Sequence, residues 1–219
     1  MSYKLLTNVH KDIPVPDNGQ TFLIKGNYEY WHHCCDTFND RGWGCGYRTL
    51  QTICSWFIHN KHMVNDDKIV PTVNKIQRII DEVGDKTSTF VETRNWIGTF
   101  EAFLVLNHLY NASCKIIHIW KGIEALKAQT DTIKNHFTEF GSPIMMGGDK
   151  DISSKCIVGI HFGDVCTYLL IVDPHFVGKA ETVEDLKKRN WVKWQNLDDF
   201  DDSSFYNLCL PQVKCDITK

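Results

Sequence analysis

Apolar side chains recur at helical spacing through Tyr47, Leu50, Ile53, Cys54, Phe57 and Ile58, which predicts a helix over residues 46–60 with one buried face. The same period in Ile76, Ile79, Ile80 and Val83 predicts a second helix over 71–83, with Pro71 in a first-turn position and Gly84 just past the end. A third, over 99–110, is so broadly apolar, from Phe100 and Phe103 to Leu109, that it should be covered on most sides, with Trp96 ahead of it as a core plug. Beyond it the pattern changes to short apolar runs bounded by turn residues, the mark of strands. These predict strands at 114–120, 143–146, 156–162 and 166–172, the last two joined tightly at Gly163-Asp164. A helix over about 122–137 separates the first pair. Residues 147–150, Gly-Gly-Asp-Lys, read as a mobile turn, since no helix follows to make a phosphate loop. A short strand at 21–24, a charged helix at 183–189 and a strand at 206–210 that closes the sheet before Pro211 complete the series. Residues 1–20, with Pro14, Pro16, Asp17 and Asn18, show little periodicity and read as an extended arm. The class is α+β: helices packed on a mostly antiparallel sheet, in one domain over 21–215.

Two places in this frame carry chemistry. Cys45 sits where the glycine-rich bend Gly42-Trp43-Gly44 meets the first helix, so unpaired N–H groups and the positive end of the helix dipole favour a thiolate there. Glycines at 42, 44 and 46 allow a sharp turn and the close approach of another chain. The second place is Asp173-Pro174-His175, at the end of an apolar strand, where residues two apart project together and Pro174 marks the exit from the sheet. A carboxylate beside an imidazole supplies the orienting and base parts of a thiol protease triad.

Composition narrows the setting. The chain has 219 residues, of which 42% are hydrophobic, enough for one well-buried core. A formal net charge of -3 gives no electrostatic footprint for nucleic acid, so a protein partner is expected. An odd count of cysteines, 9, with no apolar signal segment, points to a reducing, cytoplasmic setting rather than a disulfide scaffold. No run approaches the ~18 apolar residues needed to cross a bilayer, so no direct membrane insertion is expected, and membrane association would require an adaptor protein. The acidic run from Asp198 to Asp202 reads as a solvated face. The cluster His32-His33-Cys34-Cys35 invites a zinc reading, but adjacent residues cannot converge on one tetrahedral ion, so no metal is expected.

Several separated motifs then point one way. Asp40-Arg41-Gly42-Trp43-Gly44-Cys45-Gly46-Tyr47-Arg48 with its continuation to Phe57, then Gly84-Asp85-Lys86, Trp96-Ile97-Gly98, Gly147-Gly148, Asp173-Pro174-His175 and Tyr206-Asn207-Leu208-Cys209-Leu210-Pro211-Gln212 follow one another in the chain. In kind and order they resemble the cysteine proteases specific for the ubiquitin-fold modifier, over about residues 27–212. A weaker resemblance is to the autophagy proteases that trim another ubiquitin-like modifier. The resemblance implies a papain-like fold with Cys45 as nucleophile, His175 as base and then acid, Asp173 as its orienter, and no metal or organic cofactor. The substrate it implies is the ubiquitin-fold modifier, as precursor or as conjugates, with the tail in a cleft near Trp43 and Gly44. The chain resembles the short member of the family, which lacks the long N-terminal extension of the larger one. Where that family has an oxyanion tyrosine, twelve residues before the nucleophile, this sequence has His33, with Tyr30 three residues earlier as the alternative donor. Two other classes compete: a catalytically silent modifier-binding module, and a thiol redox protein in which Cys34 or Cys35 resolves Cys45.

Overall fold

The structure, a computed structural model, describes residues 4–60, 69–120, 122–150 and 153–215. Residues 1–3 of the expected arm lie outside the described residues. In chain order the first elements are β1 (Gly19–Leu23), α1 (Cys45–His59), α2 (Val73–Glu82), α3 (Thr99–Tyr110) and β2 (Cys114–Ile119). There follow α4 (Gly122–Lys127), α5 (Thr130–Glu139), β3 (Ile144–Gly148), β4 (Ser154–Gly163) and β5 (Thr167–Val172). The last are α6 (Val183–Lys188), β6 (Val192–Asn196) and β7 (Tyr206–Pro211). Among the described residues the strands form one 7-stranded sheet in the order β2-β7-β3-β4-β5-β6, every pairing antiparallel, with β1 on β4 as well. β4 accepts both β3 and β1 along its length, and its register against β5 shifts between Ile157 and Gly159, the mark of a bulge.

Several elements differ from the pattern reading for identifiable reasons. The helix expected over 122–137 is two, because the Gln129 N–H reaches back to Leu126 and the Thr130 hydroxyl takes the Lys127 carbonyl, ending the first helix there. β3 runs through Gly147 and Gly148, which pair with Asn207 and Tyr206 rather than forming a free turn. β7 does not close the sheet; it lies inside it, between β2 and β3. β6, around Trp194, had no predicted counterpart, since its side chains after Val192 are only half-buried and leave a faint period. Pro71 precedes α2, whose N-cap is Thr72, the hydroxyl accepting from the Lys75 N–H. α3 is not covered all round: Phe100 is 52% exposed, and Thr99, Ala102, Val105 and Leu106 make its buried side.

The largest departure is α1, which is buried from Gly46 to Phe57, not on one face only. It packs on β3, β4 and α3, so its apolar residues meet the sheet as expected. Its polar residues are buried too: Arg48, Gln51, Thr52 and Ser55 are hydrogen-bonded, while the Thr49 hydroxyl has no partner among the described residues. Ser55 accepts from the Glu29 N–H and Thr52 from the Trp31 N–H, while Gln51 donates to the Pro71 carbonyl. Arg48, fully buried, donates to both oxygens of Asp36 at 2.7 and 2.9 Å and to both oxygens of Asp40 at 3.0 Å. Burial opposes the charge on Arg48, yet the two carboxylates outweigh it and hold its pKa above the ordinary value. The N-terminal segment is thereby bound to the nucleophile helix by hydrogen bonds at positions that follow no helical or strand period.

A buried charge stripped of its partner is costly, about 3–5 kcal/mol when one side of such a pair is removed. Arg48→Leu is therefore expected to lower the stability of the protein by that order in urea denaturation, because Asp40 remains buried without its guanidinium. A loss under about 1 kcal/mol would mean that the network relaxes into water, as exposed ion pairs do.

Candidate active site

Cys45 is the first residue of α1 and is partly exposed. The first turn carries no acidic residue and Gly44 gives no side-chain cap, so its N–H groups stay available to an anion at the helix start. The neighbouring glycines are there for space. A Cβ on Gly44 would lie 2.0 Å from Asp40 Oδ2, and one on Gly46 would lie 2.5 Å from the Ile97 carbonyl oxygen. The bend is thus closed on Asp40 from one side and on the strip 96–98 from the other.

Asp173 and His175 follow β5, in the turn that leaves the sheet after Val172. One oxygen of Asp173, Oδ1, takes the His175 backbone N–H at 2.9 Å and the ring Nδ1–H at 2.6 Å. With Nδ1 so held, Nε2 is the ring atom left for Cys45, whose side chain lies near enough to favour the charged ring. Burial works against a charged His175, but the bond to Asp173, then Cys45, raises its pKa to about 10. Burial likewise opposes the Asp173 charge, and the His175 bonds overcome it and lower the carboxyl below its ordinary value. The pair therefore sits as carboxylate and imidazolium near neutral pH, beside the Cys45 thiol.

The segment 30–40 braces this turn. The Tyr30 hydroxyl donates to the Asp173 carbonyl at 2.5 Å, and the His33 N–H donates to the Pro174 carbonyl at 2.9 Å. The His32 ring packs edge-on against Phe176, with centroids 4.9 Å apart. Tyr30, a sequence candidate for an oxyanion donor, thus gives its proton to the backbone behind the acid. His33 is placed differently. Its ring meets that of His175 at 5.2 Å between centroids, its Nδ1 bonds Asp40 Oδ2 at 2.6 Å, and its Nε2 is buried with no hydrogen-bond partner among the described residues. Burial opposes the charge on Asp40, but the bonds from His33 and Arg48 keep it ionised, well below the usual carboxylate range. The proton therefore lies on Nδ1, and Nε2 becomes a donor when the ring is charged.

A cavity of about 360 Å³ opens beside Cys45. Trp96, Ile97 and Gly98 line one part of it, and Gly147, Gly148, Phe205 and Asn207 another. Three of its lining positions are glycine, so an extended chain without side-chain bulk can lie along it. Trp43 and Gly44, the residues expected near the cleft, are not among those that line this cavity. The Trp43 ring is buried edge-on against Phe38 and Tyr47, and Gly44 is spent on the approach of Asp40. Trp96, expected in the core, is 54% exposed at the cavity. Sequence reasoning gave Asp40 and Arg48 no role; their signal was a buried-pair spacing across the glycine bend that periodicity does not register.

Cys34, Cys35, Cys45, Cys54, Cys114, Cys156, Cys166 and Cys209 are free thiols. The Cys35 thiol lies 3.6 Å from an Arg48 nitrogen, and burial, the largest effect, pushes it up to about 11; burial pushes Cys54 to about 12. Neither is a ready thiolate for resolving Cys45. Among the described residues no group of three or more His, Cys, Asp or Glu side chains is arranged to hold a metal ion.

Comparison with known proteins agrees with this geometry. The family model described as peptidase family C78 matches residues 19–209. Ufm1-specific protease 1 of Mus musculus is 41% identical over 210 residues, which span 94% of each chain. Ufm1-specific protease 2 of Homo sapiens is 38% identical over 201 residues, 91% of this chain but 41% of that longer protein. The crystal structure of UfSP from C. elegans superposes with a TM-score of 0.82 at 32% identity, covering 97% of this chain and 38% of that one. The fold is the papain-like α+β one, its sheet antiparallel throughout the described residues.

Because Asp173 is the strongest of the groups that raise the His175 pKa, Asp173→Asn should move the deprotonation of that ring from about 10 down toward the ordinary 6.5. The sign follows from loss of the anion that favours the charged ring. Titration of the imidazole protons by NMR reads the midpoint directly, and an unmoved midpoint would show that Asp173 does not hold the charge.

Proposed function

Because the chain belongs to peptidase family C78, we propose that it cleaves the peptide or isopeptide bond after the C-terminal glycine of the ubiquitin-fold modifier Ufm1, in precursors and in conjugates. The observation that carries this reading is the contact of Cys45, at a helix N-terminus, with a His175 held by Asp173, beside a cavity lined by glycines. The names of the relatives supply the substrate, and the glycine-lined cavity suits a tail without side chains next to the scissile bond.

In this mechanism the Cys45 thiolate adds to the carbonyl carbon of the terminal glycine. The His175 imidazolium gives its Nε2 proton to the departing amine, and the acyl group stays on Cys45 as a thioester. The neutral ring then takes a proton from water, whose oxygen adds to the thioester and releases the tail carboxylate and the thiol. Asp173 holds the ring through its Nδ1–H throughout and favours its charged form. The oxyanion is met by the Cys45 backbone N–H and by His33, whose Nε2 can donate when the ring carries its second proton. Tyr30 supports the reaction from behind, through the backbone at Asp173. No metal or organic cofactor enters. A cytoplasmic setting suits the free cysteines, and no helix among the described residues is long and apolar enough to cross a membrane, so recruitment to a membrane would fall to an adaptor.

The direct test is incubation of the purified protein with Ufm1 and other ubiquitin-like modifiers, each extended beyond its terminal glycine; release of the extension from another modifier and not from Ufm1 would overturn the substrate assignment. Cys45→Ser should abolish cleavage and retain binding, since a hydroxyl keeps the volume but not the nucleophilicity; residual turnover at the wild-type rate would remove Cys45 from the mechanism. His33→Ala should lower turnover by ~10²-fold with little change in affinity, the usual cost of losing one oxyanion donor. His33→Tyr should recover much of that loss, and a silent His33→Ala would leave the oxyanion to the backbone.

A further inference from the structure

The surface beside Cys45 continues beyond the cavity. Asn207 of β7 lies opposite Gly147 of β3 on one side and opposite His118 of β2 on the other. Directly opposed residues in an antiparallel sheet send their side chains to the same face. A Cβ on Gly147 would come within 2.4 Å of the Asn207 side-chain oxygen, which places that side chain over Gly147 on the face where both line the cavity. His118 belongs to the same row. One step along, Phe205 lines the cavity, and the Trp120 ring packs against it with centroids 5.1 Å apart. The His118 ring stacks on Phe205 at 6.0 Å and 21°, and lies 6.1 Å from Trp120.

This cluster is open. Trp120 is 76% exposed, His118 is exposed and Phe205 half-buried. It is also rigidly joined to the cavity wall. Asp149, next after β3, accepts from the Phe205 N–H at 2.8 Å and from the Ser204 hydroxyl at 2.7 Å. An exposed tryptophan flanked by two further rings is the residue chemistry that anchors protein interfaces. Phe205 is shared between cavity and cluster, so whatever fills the one lies against the other.

We infer that the His118–Trp120–Phe205 cluster is the docking surface for the folded body of the modifier whose tail occupies the cavity, taken up by an aliphatic patch on that body. The inference rests on the proposed substrate, and continuity of the surface selects the occupant: the residues preceding the terminal glycine must leave the cavity over its rim, and at Phe205 the rim passes into exposed aromatic surface. The cavity then reads the tail and the cluster reads the body, which separates a modifier from an unfolded peptide with the same ending.

The test compares two substrates with the same fluorogenic amide after the terminal glycine: whole Ufm1, and an acetylated peptide of its last residues. Trp120→Ala should raise KM for the whole modifier by ~10-fold, the size of one interface anchor, while its hydrolysis of the peptide stays within about twofold of wild type. Trp120→Phe should recover most of the loss, and Ile69→Ala, an exposed apolar side chain at a different surface cavity, should have no effect. Equal losses on both substrates, or none on either, would overturn the docking surface. A binding titration of Ufm1 to Cys45→Ser with and without Trp120→Ala keeps the two readings apart. Trp120-dependent binding without cleavage by the wild type would sink the proposed activity and keep the surface, and cleavage with Trp120-independent binding would do the reverse.

Discussion

A guanidinium with no access to water holds the active site together. Arg48 projects from the nucleophile helix, and its bonds to Asp36 and Asp40 fold the segment 29–40 back over that helix. Asp40 then serves three masters at once: the guanidinium, the Cys34 backbone N–H at 2.8 Å and the His33 ring. Its carboxylate also occupies the space that a side chain at position 44 would need. The sharpness of the bend, the placement of Cys45 and the orientation of His33 are consequences of one buried ion cluster. Such clusters add little net stability over an apolar core, because desolvation offsets most of the attraction. What this one contributes is direction, since two carboxylates around a planar fork admit few other arrangements.

The arrangement yields two aspartate–histidine pairs whose rings meet at 5.2 Å. They are built from opposite ends of the chain and differ in exposure. Asp173–His175 is partly open to solvent and touches the thiol, whereas Asp40–His33 is buried and leaves one nitrogen without a partner among the described residues. In the first pair the carboxylate supports a ring that exchanges protons; in the second it fixes which nitrogen can act and what charge the ring must carry to donate. The same chemical couple therefore serves proton transfer in one setting and charge stabilisation in the other, according to what surrounds it.

Those parts of the site that depend on local spacing were legible in the sequence. A thiol at the start of a periodic apolar run, and an acid two residues from a histidine at a strand end, are both short-range signals, and the structure brings Cys45, Asp173 and His175 together. The apolar face of α1, the strands from Cys114 onward other than β6, and the antiparallel class followed from periodicity in the same way. What periodicity could not carry was the polar side of α1, because its partners are backbone groups of a segment with no period of its own. The lining of the cavity was hidden for a related reason. Glycines at 42, 44 and 46 look like space left for a substrate, whereas those at 44 and 46 are space already taken by Asp40 and Ile97; the glycines that line the cavity are Gly98, Gly147 and Gly148, on elements that only the tertiary fold brings beside Cys45. Trp96 likewise shows nothing in sequence to separate a core tryptophan from a cavity wall.

The bonds from Tyr30 to the Asp173 carbonyl and from His33 to the Pro174 carbonyl join an early segment to a late one. During synthesis the nucleophile helix leaves the ribosome long before β5 and the turn that follows it. Until that turn docks, the thiol has neither base nor acid, and His33 has no seam to complete. A chain that has not yet made this turn is therefore inert toward its neighbours, and hydrolytic power arrives only when the early and late segments join, a safeguard that follows from chain order.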